Sequence, residues 1–79
     1  MSPTVLREKG YRFYFFSREE PRMLIHIACS DGEAKYWLEP IIELARNHSL
    51  TRTQLKEIED LIEVHYDKFK DAWKQHLSS

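Results

Sequence analysis

The chain has 79 residues, 42% of them hydrophobic and 13% aromatic, and its 12 Lys+Arg against 13 Asp+Glu leave a net charge of -1. Two glycines and three prolines exclude a disordered or fibrous chain, and the length suits one domain over 1–79 near the lower size limit for a single core, so a partner chain is expected. Without a basic excess, a purely electrostatic nucleic-acid binder is excluded, and any RNA or DNA contact needs a local patch.

In chain order, "MSPTVLREKG" has no apolar core of signal-peptide length, and no stretch approaches the roughly 18 apolar residues of a membrane span. "VLRE" can pair with "YRFYFF" (residues 11–16) across a turn at Lys9-Gly10. Tyr14 and Phe16 fall on the opposite side of that strand from Tyr11, Phe13 and Phe15, so one aromatic set faces the open side. After the charged loop "SREEP", the run from Arg22 to Cys29 reads as a strand and Glu33 to Glu39 as its return. Asp31-Gly32 between them is a strong hairpin signal, because both central positions of a type I′ turn need positive φ. Counting outward from that turn pairs Ile27 with Tyr36, His26 with Trp37 and Leu24 with Glu39. Met23, Ile25, Ile27, Cys29, Ala34, Tyr36 and Leu38 then share the core face. Leu24, His26, Ala28, Lys35, Trp37 and Glu39 share the open one.

Pro40 suits the first turn of a helix, and "IIELARNHS" follows it, giving a short helix over about 40–48 with His48 at its end. Thr51 with Gln54 resembles a capping box, and Leu55, Ile58, Leu61, Ile62, His65, Phe69, Trp73 and Leu77 recur at helical spacing over 52–77. One helix of about 25 residues would be roughly 38 Å long. The expected fold class is α+β: a small antiparallel β meander of three to four strands over 4–39, packed against two C-terminal helices, the last one long. Because 38 Å outruns a narrow sheet, Phe69, Trp73 and Leu77 need cover, which predicts a homodimer through the long helix or a bound partner protein. Six acids against four lysines from Gln54 onward argue against that helix lying on nucleic acid.

The open face of the hairpin offers a proton-transfer imidazole in His26, a cation in Lys35, a stacking ring in Trp37 and a carboxylate in Glu39, the ingredients of a phosphodiester-handling site. Arg7, Lys9, Arg12, Arg18 and Arg22 could supply a phosphate-contacting rim; the alternative is charged strand edges that resist aggregation. Cys29 reads as a small buried hydrophobe. As the one cysteine it precludes an internal disulfide and suits a reducing, cytoplasmic setting. His65 and His76 sit beside the apolar helical stripe, as packed or half-exposed helix residues. No cofactor or metal site is expected.

"PTVLREKGYRFYFFSREE", then Met-x-x-His, then "DGEAKYWLEP" and "IELARN", together resemble a prokaryotic family, the domain of unknown function 4160. Relatives of that pattern carry a second histidine where Leu24 stands, two positions before His26. The resemblance implies a toxin-like partner of domain of unknown function 2442 proteins, held inactive in a complex with its antitoxin. Two imidazoles on one strand face could act as acid and base or bind one metal, so Leu24 implies a lost or attenuated reaction. RNA is the expected target of a nuclease-like member. The competing reading is a non-catalytic protein-interaction module, and a metal-binding regulator is a third.

Overall fold

The computed structural model describes residues 4–15 and 22–78, with side chains to residue 75. Phe16 and Arg18, and the side chains of His76 and Leu77, lie outside the described residues. Five strands form one antiparallel sheet in sequence order: β1 (Thr4–Glu8), β2 (Tyr11–Tyr14), β3 (Leu24–Cys29), β4 (Gly32–Trp37) and β5 (Glu43–His48). Helices α1 (Arg52–Val64) and α2 (Tyr66–Ser78) follow. The α+β class, an antiparallel meander followed by C-terminal helices, matches the sequence reading, with five strands in place of three or four and both helices drawn from the segment read as one long helix.

The first hairpin forms as its local chemistry dictates. Lys9 and Gly10 take φ of 53° and 84°, both positive as a two-residue I′ turn demands. Glu8 pairs with Tyr11, Arg7 with Arg12 and Leu6 with Phe13.

The second hairpin departs from the expected register. Cys29 pairs with Gly32, which makes Ser30 and Asp31 the loop, and His26 pairs with Lys35 rather than with Trp37. Neither Ser30 nor Asp31 has positive φ. Moving the turn by one residue changes each cross-strand partner by two, so every side chain keeps its face. Gly32 serves the close approach of β5 instead of the turn: a Cβ there would overlap the His48 carbonyl oxygen.

The short helix expected over 40–48 is a strand. Glu33 pairs with His48, Lys35 with Arg46 and Trp37 with Glu43. A helix of that length is marginal on its own, whereas pairing satisfies backbone groups along β4 that would otherwise form an open edge. The Glu39-Pro40 peptide is cis, and Pro40 lies in the bend before β5 instead of starting a helix. Ile41 is 65% exposed and Leu44 40%, while Ile42 is partly buried against the core. Asn47 brackets the turn after β5: its Oδ1 accepts from the Leu50 N–H at 3.1 Å, and its Nδ2 donates to the Leu50 carbonyl at 3.0 Å.

Thr51 and Gln54 form the expected capping box at the start of α1. Gln54 Nε2 also donates to Asp31 Oδ2 at 2.8 Å, tying that helix end to the β3–β4 turn. The single long helix is interrupted at His65, whose φ and ψ are -106° and 21°. His65 N–H still bonds to the Leu61 carbonyl at 3.0 Å, and Phe69 N–H to the His65 carbonyl at 3.1 Å. The interruption is therefore a bend and not a loop.

Beyond it, Phe69 and Trp73 pack on the sheet of their own chain. The Phe13 and Phe69 ring centroids are 5.4 Å apart, and Trp73 meets Phe15 edge-on at 5.1 Å. Tyr66 Oη donates to the Leu38 carbonyl at 2.7 Å. The expectation that these rings need a second chain is thus corrected, and with it the stated reason for a dimer. Fully buried Phe13, Phe15, Ile25, Ile27, Tyr36, Leu38, Ile58, Ile62 and Phe69 make the core, each contributing about 1.5–3 kcal/mol of burial. Cys29 is half-buried and packs against that core.

Candidate functional site: the open face of the sheet

The helices cover the face bearing Tyr11, Phe13, Ile25, Ile27 and Tyr36. Two tyrosine hydroxyls bind α1 to this face: Tyr11 Oη donates to Glu57 Oε1 at 2.8 Å and Tyr36 Oη to Glu59 Oε2 at 2.9 Å. Burial, reinforced by the Glu57 bond, pushes the Tyr11 phenol up to about 12. Burial and then Glu59 raise Tyr36 well above the ordinary tyrosine value. His65 Nε2 lies 3.6 Å from Glu8 Oε2, between the α1–α2 bend and β1. These polar contacts are structural and lie away from the open face.

Strand alternation and the observed registers place Arg7, Arg12, Tyr14, Leu24, His26, Lys35, Trp37, Glu43, Arg46 and His48 on the opposite, open face. One continuous row crosses the sheet: Tyr14 pairs with His26, His26 with Lys35 and Lys35 with Arg46. The Tyr14 and His26 rings are stacked, with centroids 5.3 Å apart and planes 23° from parallel. The Arg12 guanidinium lies over the Tyr14 ring, 4.4 Å from its centroid, and Arg12 Nε donates to Thr4 Oγ1 at 2.7 Å. Arg22 lies over Trp37 at 3.9 Å. Such cation–π contacts hold long basic side chains against the sheet.

Two pairs of like charges stand directly opposite one another on this face, Arg7 with Arg12 and Lys35 with Arg46. Directly opposed like charges destabilise a sheet. An anion placed between two such side chains would offset that repulsion.

Of the residues expected to form a site, His26, Lys35 and Trp37 share the face as predicted. Arg7, Arg12 and Arg22 lie there as well. Lys9 is at the β1–β2 turn, on the rim and not beside His26. Leu24 pairs with Trp37 and is only 6% exposed, so it is enclosed on a face that is otherwise half wet. Glu39 pairs with no strand residue opposite Leu24: its Oε1 accepts the Met23 N–H at 2.9 Å, beside the Leu38 N–H to Met23 carbonyl bond of 2.9 Å. That carboxylate closes the open end of the β3–β4 ladder.

Arg46 and His48 belong to the face and escaped the sequence reading, because "ELARNH" was read at helical period. Their i, i+2 spacing was the available signal for a strand. With His26, Glu33, Ala34 and Lys35 they line a depression of about 330 Å³. Among the described residues no group of three His, Cys, Asp or Glu side chains is placed to hold a metal ion. No helix of the described residues is long and apolar enough to cross a membrane.

Comparison with the curated proteins and with solved structures found no match. A family model described as a domain of unknown function, DUF4160, matches residues 10–74, from the β1–β2 turn through most of α2. Every strand of the open face except β1 falls within that span. The chain is therefore a member of the DUF4160 family.

Proposed function

We propose that this chain is the toxin-like component of a bacterial toxin–antitoxin pair, acting in the reducing cytoplasm, and that its open sheet face contacts single-stranded RNA. The observation that carries this reading is the combination of two opposed like-charge pairs with the stacked Tyr14–His26 rings on one face. Exposed or half-exposed rings on a sheet stack on unpaired bases, and flanking Arg and Lys bind the backbone between them. Tyr14 and Trp37 are the stacking rings, Arg7, Arg12, Arg22, Lys35 and Arg46 the phosphate contacts, and His26 the acid or base of a phosphodiester cleavage.

Leu24 sits where the resemblance places the second histidine. Alternate positions on a strand are about 7 Å apart on one face, so two imidazoles there could flank a single phosphate. With Leu24 only one proton-transfer group remains, and cleavage is weak or absent while binding persists.

The test has two readouts. Fluorescence anisotropy with a single-stranded RNA should give binding that weakens as salt rises, and Tyr14→Ala should reduce it about tenfold, the size of one lost base stack. Growth is then followed for the protein and for Leu24→His, each with and without the neighbouring gene. Growth arrest or RNA loss confined to Leu24→His supports the reading. Undisturbed growth, no RNA binding and an intact complex with the neighbouring gene product would make the chain an interaction module.

A further inference from the structure

The depression between β3, β4 and β5 has a composition that the RNA face does not by itself require. A sheet that only tracks a polynucleotide backbone needs scattered cations along a groove. Here Lys35, Arg46, His26 and His48 converge on one concavity of about 330 Å³, at the low end of the size of ligand sites. Lys35 and Arg46 are directly opposed across β4 and β5. Glu33 stands opposite His48, so the wall nearest the hairpin turn is closer to neutral, and positive potential concentrates on the Lys35–Arg46 pair.

Gly32 contributes to this shape. Because it lacks a Cβ, the His48 carbonyl approaches β4 closely, which draws β5 in and sets Arg46 beside Lys35. His26, which lines the depression, stacks on Tyr14 of β2.

We propose that this depression binds a phosphate monoester, with Arg46 and Lys35 clasping the phosphate oxygens and His48 and His26 donating from either side. This deepens the RNA-face reading, on which it rests, by naming the group that Lys35 and Arg46 hold most tightly: a terminal phosphate, in preference to a backbone phosphodiester. A monoester carries more charge than a diester near neutral pH, and a fork-shaped guanidinium paired with a lysine suits its three free oxygens. The shared chemistry could come from a free nucleotide or from an RNA end.

Both sources are tested together. A short RNA is prepared with a 5′-phosphate, with a 3′-phosphate and with hydroxyls at both ends, and adenosine 5′-monophosphate and adenosine serve as small probes. Affinities are measured for the protein and for Arg46→Ala, Lys35→Ala and the control Lys68→Ala on the exposed side of α2, with amide NMR spectra confirming folding. One phosphorylated RNA should bind on the order of tenfold tighter than the hydroxyl-ended RNA, as expected for a charge-assisted contact. That preference should vanish in Arg46→Ala and Lys35→Ala and persist in Lys68→Ala. Equal affinity for all three RNAs overturns the proposal and leaves the RNA face standing. Shifts at Arg46 and His48 with the monophosphate but not with adenosine, and no RNA binding, support the phosphate site with a free nucleotide as its ligand and overturn the RNA reading. No response to any probe overturns both.

Discussion

Replacing Leu24 with histidine tests the site and the fold at once. The leucine is 6% exposed and faces Trp37 across β3 and β4, so the substitution removes a buried apolar side chain and puts a polar ring in its place. Burial of a leucine contributes about 1.5–3 kcal/mol, and an imidazole without a hydrogen-bond partner adds a desolvation cost, so a net loss of about 2 kcal/mol is expected. For a domain of this size that lowers Tm by about 8–16 °C. The loss has a direction in pH. An enclosed imidazole resists protonation, its folded value lies below its unfolded one, and stability falls further as pH drops from about 7.5 to about 5.5. Thermal unfolding followed by circular dichroism at both pH values measures this directly, and RNA turnover is assayed in the same material below Tm. An unchanged Tm at both pH values would refute the enclosure of position 24. A destabilised variant that still binds RNA without cleaving it would refute the role assigned to a second imidazole.

Four other outcomes are expected. Gly32→Ala forces β5 away from β4 by collision with the His48 carbonyl and costs about 1–3 kcal/mol; hydrogen exchange should speed selectively at residues 43–48, and uniform protection would contradict it. Thr51→Ala removes the acceptor for the Gln54 N–H and costs about 1 kcal/mol, read as a drop in Tm with little change in RNA affinity. Phe69→Ala, at a fully buried ring against Phe13, costs about 3–5 kcal/mol out of a total of roughly 4–12 for this length; light scattering and circular dichroism should show partial unfolding, whereas a well-folded species of lower mass would mean that the ring serves a dimer interface. At alkaline pH, folding keeps the Tyr11 and Tyr36 phenols protonated, with Tyr11 pushed up to about 12. Their raised values contribute stability that is complete below the unfolded tyrosine value and lost as pH rises through the folded ones. Ultraviolet titrations of the protein, Tyr11→Phe and Tyr36→Phe, taken as differences, should show the Tyr11 and Tyr36 phenols ionising late and together with unfolding, and their early ionisation in folded protein would contradict it.

Local chemistry was enough for some of this architecture. Lys9-Gly10 specifies its turn, alternation separates Ile25, Ile27 and Tyr36 from His26, Lys35 and Trp37, and Thr51 with Gln54 marks the start of α1, because each depends on neighbours along the chain. Face assignment even survived a wrong turn position, since sliding the β3–β4 turn by one residue preserves parity. The candidate site was legible to the same extent: His26, Lys35 and Trp37 could be placed on one face, while Arg7, Lys9 and Arg12 were legible only as a basic rim or as charged strand edges.

The rest depended on contacts between residues distant in sequence. Glu43–His48 is a strand because the β4 edge needs pairing, although its residues fit a helical period. Gly32 starts β4 because the His48 carbonyl passes close to it, a contact with β5 that the hairpin's own residues do not show. The helical run bends at His65, between α1 and α2, and beyond the bend Phe69 and Trp73 pack on Phe13 and Phe15 of the sheet. Arg46 and His48 reach Lys35 and His26 only after β5 has formed, so the most concentrated part of the candidate site is a product of strand pairing and of no single stretch of chain.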